Sequence, residues 1–76
     1  MTKENESKRT VWYEVITTEE KEQVVYFADK VTISGSFVAF KPYRCQRPSG
    51  HSEMKDIELI LPERVVLEIV HRKINP

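Results

Sequence analysis

The sequence predicts an all-β fold, a small single-domain antiparallel sheet of five or six strands that is bent or closed into a small barrel. Two C-terminal segments, 57–61 and 65–70, are rich in branched apolar residues, and each carries an acidic residue. β-branched and aromatic residues also dominate 10–17 and 23–28, as is typical of half-buried strands. The 76 residues are too few for a two-sheet sandwich of about 100 residues, so a small bent sheet fits better.

The first half of the chain predicts a tail followed by two strands. Residues 1–9 have no apolar side chain after Met1, so we expect a flexible tail before a β domain over 10–74. The first strand, 10–17, alternates its side chains between two faces. The charged residues 18–22 predict a turn. The second strand, 23–28, should continue past Asp29 and Lys30 as a bent strand up to Ser34.

The middle of the chain predicts a tight hairpin and then a long loop. Gly35 can adopt positive φ without a Cβ clash, so residues 34–36 should form the turn before a strand over 37–41. We expect Pro42 to end that strand because it lacks a backbone donor. Residues 42–55 should then form a long loop that contains a turn at 48–50. Loops of more than about 12 residues are uncommon and often functional.

The last two strands are expected at 56–61 and 65–72. A helix over 63–73 is the alternative, because Glu68 and Arg72 have i,i+4 spacing and Pro62 could lie at a helix start. Four β-branched residues within 65–70 favour the strand. The layout is similar to that of small five-stranded barrels of the Sm or Src-homology-3 type, although the paired glycine-bearing motifs of Sm proteins are missing.

Composition favours a cytoplasmic protein that is not bound to a membrane. Twelve basic and twelve acidic residues cancel, so the total charge gives no reason to expect an anionic membrane or nucleic acid as a partner. No apolar run approaches the roughly 20 residues of a membrane span, and no signal-peptide pattern is present. Cys45 is the only cysteine. An internal disulfide is therefore excluded, which is typical of a reducing compartment.

The charge distribution nevertheless suggests one local binding segment. Residues 30–52 contain no acidic side chain. Cations bind phosphates and an aromatic ring can stack on single-stranded bases, so this segment could bind nucleic acid or another anion. The candidate residues are Lys41, Tyr43, Arg44 and Arg47. The alternative is that these cations balance the acidic residues of the 18–22 turn.

Residues capable of catalysis or metal binding do not form a recognisable motif. Cys45 and His51 could act as a nucleophile and its base, but neither a third orienting group nor an oxyanion site has a sequence signature. Cys45, His51, Glu53 and His71 are zinc-ligand types without the paired spacing of zinc sites. We therefore expect no enzyme, no cofactor and no metal, and a structural role for His71.

The terminal strands predict a protein-interaction surface. Ile60, Val66 and Val70 lie opposite the expected core residues of their strands, so both strand faces are apolar and one needs a cover. With Trp12 they form the predicted interface, unless bulges turn them inward. Strands 10–17 and 65–72 are the candidate sheet edges. We expect a non-enzymatic module that self-associates or docks on a larger protein to regulate it; the alternative is single-stranded nucleic-acid binding through 41–55.

Overall fold

The computed structural model describes residues 10–54 and 57–74, apart from the side chain of His51. In this part of the chain, six strands form one antiparallel sheet: β1 (Val11–Glu19), β2 (Glu22–Ser34), β3 (Phe37–Arg47), β4 (Gly50–Glu53), β5 (Leu59–Pro62) and β6 (Val66–Lys73). The strand order is β4-β3-β2-β1-β6, and β5 pairs with the other half of β3. The all-β prediction is confirmed as a bent sheet, which is not closed into a barrel. The predicted tail, 1–9, lies outside the described residues.

Two tight turns connect the three long strands. At the β1–β2 turn, Glu19 is opposite Glu22, and both intervening residues, Glu20 and Lys21, have positive φ of 51° and 69°. These values are those of a type I′ turn, whose twist matches that of the flanking strands. At the β2–β3 turn, Gly35 has a φ of 61°. Both turns lie where the sequence predicted them.

The bend in β2 is produced by extra residues at the predicted position. Its pairing with β3 shifts between Ala28 and Val31, so the two intervening residues interrupt the ladder while the strand itself continues to Ser34. Such a bulge increases local twist and redirects a strand. The sheet can therefore turn around its own core.

The long loop expected over 42–55 is wrong for most of its length. Strand β3 runs through Pro42 to Arg47, and β4 returns from Gly50 to Glu53. Ala28 pairs with Pro42 but the preceding Phe27 pairs with Arg44, so one residue is bulged out. A bulge is a position where a strand tolerates proline, because the regular ladder is already interrupted. The turn expected at 48–50 is present as the β3–β4 connection.

The C-terminal segment is a strand, as the β-branched residues predicted. Within the described part of the chain, only residues 63–65 are helical, as one turn of 3₁₀-helix between β5 and β6. Strand β6 pairs with β1, with Thr17 opposite Val66 and Ile16 opposite Glu68. The residue between them is bulged out. Because β1 lies between β2 and β6, β1 is not the sheet edge that the sequence suggested, whereas β6 is.

One face of the bent sheet, which we call the inner face, forms the core. Its fully or nearly buried apolar residues are Val15, Val24, Tyr26, Ala28, Val38, Phe40 and Cys45. Partly buried residues from the remaining strands pack around them, namely Val31, Met54, Leu59, Leu61, Val66 and Ile69. The one buried polar side chain among the described residues, Thr17, donates a hydrogen bond to the Val24 carbonyl at 3.2 Å. Its hydroxyl is thereby satisfied inside the core.

Candidate functional site

The opposite face of β6, β1 and β2, which we call the outer face, is also rich in apolar side chains. Residues on β1 alternate, so those flanking the fully buried Val15 point outward. Glu14 is opposite Val70 on β6 and Phe27 on β2. Ile16 is opposite Val25 in the next row. These side chains are each half-buried by their neighbours, and no other layer of the described chain covers them.

A carboxylate lies at the centre of this outer face. Glu14 Oε2 accepts a hydrogen bond from Trp12 Nε1 at 3.1 Å and pairs with Arg72 Nε at 3.2 Å. The Glu14 side chain is 16% exposed. A partly buried carboxylate restricts the orientation of the two side chains that donate to it, because leaving the carboxylate unpaired would destabilise the fold. The indole and the guanidinium are thus held on this face.

An aromatic and cationic cluster continues the outer face toward β3. The Arg44 guanidinium carbon lies 5.4 Å from the centroid of the Phe27 ring, within the range of a cation–π contact. The Phe27 and Tyr43 rings are 6.5 Å apart and tilted by 47°. Tyr43 reaches this position at the β3 bulge.

A second apolar area, which we call the β5 patch, lies on the other half of the sheet. Phe37 is opposite Pro62, and Ala39 is opposite Ile60, so these four residues share one side of the β3–β5 pair. Phe37 is 52% exposed and Ile60 is 61% exposed. The neighbouring residues Val38 and Leu61 point to the opposite side, into the core.

The four predicted interface residues are not gathered in one place. Trp12 and Val70 lie close together on the outer face, on adjacent strands. Ile60 belongs to the β5 patch. Val66 packs against the core instead, because the bulge that follows it changes which β6 residues point inward. Leu67 is turned outward in its place and is 59% exposed, which strand alternation alone did not suggest.

Three of the four residues predicted to bind anions lie near one another, and Arg47 does not. Tyr43 and Arg44 both lie beside Phe27. Tyr43 also lines a cleft of about 480 Å³ together with Lys41, Asp29, Lys30 and Glu58. Arg47 is at the far end of β3.

At that end, the Arg47 guanidinium lies 3.9 Å from Glu19 and 3.6 Å from Glu22. This is the contact with the acidic turn that was the alternative to anion binding. Glu19 also accepts a hydrogen bond from the Tyr26 hydroxyl at 2.7 Å. Burial, and then this hydrogen bond to a carboxylate, raise the pKa of Tyr26. The charge of Arg47 is therefore balanced by the acidic turn, next to the buried Tyr26, and does not add to a basic surface.

Two of the side chains considered for catalysis or metal binding, Cys45 and His71, pack against other parts of the fold, and the side chain of His51 lies outside the described part of the structure. Cys45 is buried, and burial raises the pKa of its thiol, so the thiol is protonated near neutral pH, unlike a nucleophilic thiolate. His71 stacks on Tyr13, with ring centroids 4.5 Å apart. Among the described side chains, which do not include that of His51, no three His, Cys, Asp or Glu residues are grouped to hold a metal. The same part of the chain has no helix long and apolar enough to span a membrane.

Comparison with known proteins gave no further identification. No protein-family model matches the chain, and no match was found among curated proteins or solved structures. The function must therefore be inferred from the surfaces of the molecule itself.

Proposed function

We propose that this protein is a non-enzymatic, cytoplasmic interaction module that self-associates or docks on a larger protein to regulate it. The observation that carries this proposal is that the single sheet is apolar on both faces while its own described chain covers only one. The outer face presents Trp12 and Val70. The β5 patch presents Phe37 and Ile60, each more than half exposed.

The energetic balance of the chain favours a partner. Burying a large apolar side chain stabilises a protein by about 1.5–3 kcal/mol. The apolar side chains that this molecule leaves exposed do not provide this stabilisation while the chain is alone. A domain of this size buries only about 60% of its unfolded surface and is marginally stable alone. Association through the outer face or the β5 patch would supply the missing burial. Contiguous exposed apolar areas on small domains are typically binding sites for this reason.

A matched pair of substitutions tests the β5 patch. Ile60 and Ile33 are almost equally exposed, at 61% and 62%. Ile33 is opposite Val38, whose side chain points to the core side, so Ile33 and Ile60 are on different sides of the sheet. We expect I60S to weaken the retention of a protein partner at the β5 patch by at least about tenfold, as expected for losing one buried isoleucine. I33S should have little effect. Both variants should keep the wild-type unfolding temperature, since neither side chain is in the core.

The readouts are light scattering over a range of protein concentrations and crosslinking in the native host followed by mass spectrometry. Self-association, or a captured protein partner that is lost in I60S and kept in I33S, would support the proposal. A monodisperse monomer at high concentration, with no crosslinked partner, would overturn it.

Binding of single-stranded nucleic acid is the second candidate, favoured by the Phe27–Tyr43–Arg44 cluster beside Lys41. Aromatic stacking on a base contributes about 1–3 kcal/mol, so Y43A should weaken binding by about tenfold or more. R44A should weaken it and reduce the salt dependence. R47A is the control, because Arg47 is paired with the acidic turn. Absence of binding to single-stranded RNA and DNA at low salt would exclude this function.

A further inference from the structure

Strand β6 is the longest edge strand in the described part of the sheet. Within the described residues, it pairs with β1 alone. It has eight residues, whereas the edge strands β4 and β5 have four each, and β5 ends in Pro62. Natural edge strands are commonly kept short, or are blocked by proline or by central charges that resist pairing. Between Val66 and Lys73 there is no proline, and the bulge at Leu67 lies near one end of the strand. The two charged residues that flank Val70 at equal spacing, Glu68 and Arg72, have opposite signs, so they can attract a second copy of the same edge.

We propose that this edge pairs with the same edge of a second copy, antiparallel, about a twofold axis at Val70. The inference rests on the proposed function and names the partner in self-association. A twofold axis makes the contacts of the two copies reciprocal, and only the residue on the axis lies opposite its own counterpart. With Val70 opposite the partner's Val70, Glu68 is opposite the partner's Arg72, and Arg72 is opposite the partner's Glu68.

Charge complementarity selects this register over its neighbours. Directly opposite residues interact most strongly, and opposite charges there stabilise the pair. An axis at Ile69 would place Glu68 opposite the partner's Val70, and an axis at His71 would place Arg72 opposite the partner's Val70. An axis at Arg72 would oppose two arginines. Only the axis at Val70 pairs each acidic residue of the β6 outer face with a basic one.

Face matching excludes the registers that fall between these. An axis between two neighbouring residues would place Val70, which is on the outer face, opposite an inner-face residue of the partner such as Ile69 or His71. A slip of one residue exchanges the two faces of a strand. With the axis at Val70, the outer faces of both copies lie on the same side. Arg72, already 3.2 Å from Glu14 of its own chain, then lies between two carboxylates.

Charge reversal provides the first test. In E68R, the introduced arginine of each copy would oppose the partner's Arg72, and in R72E two glutamates would oppose each other. We expect each variant alone to raise the dimer dissociation constant by at least about tenfold, because attractive cross-strand pairs become repulsive. An equimolar mixture should form a heterodimer, since one chain presents two arginines and the other two glutamates. Sedimentation velocity measures all three samples, and circular dichroism checks folding, because R72E also loses the Glu14 contact.

Disulfide trapping provides the second test and needs no charge change. In a C45A background, V70C places two thiols on the twofold axis. Directly opposite Cβ atoms in antiparallel strands are about 4.5–5.5 Å apart, so a small adjustment allows a disulfide. I60C is the matched control on the β5 edge. We expect oxidation to give covalent dimers of V70C but not of I60C.

The outcomes separate this inference from the function on which it rests. Dimers that are trapped by V70C and weakened by E68R would support it. Self-association that is unaffected by E68R, or trapped by I60C and not by V70C, would overturn this edge while self-association stands. A monomer that retains a different protein partner would overturn it while docking stands. A monomer without any partner would overturn both.

Discussion

Replacing the two residues of the β1–β2 turn by Asn-Gly (E20N/K21G) should stabilise the protein. Glu20 and Lys21 both have positive φ, 51° and 69°, although neither has a short side chain that favours this conformation. A type I′ turn requires positive φ at both positions, and Asn-Gly is the sequence that adopts it most readily. Both residues are exposed, so their replacement leaves the core unchanged.

The magnitude follows from the backbone. A non-glycine residue in the left-handed region costs about 1 kcal/mol or slightly more, so two such residues cost about 2 kcal/mol. The new glycine offsets about 0.5–1 kcal/mol of this gain, because glycine loses more conformational entropy on folding than the lysine it replaces. The net gain is therefore about 1 kcal/mol, which raises the unfolding temperature of a domain of this size by about 4–8 °C.

The assay is urea unfolding followed by the fluorescence of Trp12, the only tryptophan. The midpoint should rise while the slope stays constant, because the surface exposed on unfolding is unchanged. The second hairpin gives the reciprocal control. Gly35 has a φ of 61°, and an added Cβ would meet no atom within 4 Å, so Gly35→Ala should cost about 1 kcal/mol from the backbone alone. An Asn-Gly variant no more stable than wild type, or a neutral Gly35→Ala, would refute this reasoning.

Three further predictions concern the core. Tyr26→Phe should destabilise by about 1–2 kcal/mol in urea unfolding, because Glu19 loses a hydrogen-bond donor; an unchanged midpoint would contradict this. Burial raises the pKa values of Cys45 and Tyr26 above their ordinary 9.0 and 10.0. As the pH rises, these two groups therefore lose their protons in the unfolded chain before they do so in the folded protein. The free energy of unfolding should be constant below the ordinary pKa values and fall at higher pH, by up to about 1.4 kcal/mol per pH unit for each group. A flat profile up to about pH 10.5 would exclude this linkage, and Tyr26→Phe should remove the tyrosine part of the fall. Val38→Ala should cost about 2 kcal/mol through lost burial and a cavity. Ile33→Ala, at its exposed cross-strand partner, should cost less than about 0.5 kcal/mol, and equal effects of the two substitutions would show that burial does not distinguish these two positions.

Local features of the sequence determined the fold class. β-branched residues favour extended backbone wherever they occur, so the strand at 66–73 was predictable without knowledge of its neighbours. Gly35 marked its turn through its own conformational freedom. Side chains of a regular strand alternate between its two faces, so Phe37 and Phe40, three positions apart, are on opposite faces; they are 52% and 3% exposed. The division of the apolar residues between two faces could therefore be predicted for regular strands.

Only the tertiary structure decided where that alternation is interrupted. Pro42 continues β3 because its partner Ala28 lies beside a bulge, and Val66 faces the core because a bulge against β1 turns Leu67 outward. Arg47 meets Glu19 and Glu22 because β3 returns alongside the β1–β2 turn. The physical reason is that a residue's own preferences set its backbone conformation, whereas its face and its partners depend on the register of strands that are distant in the chain.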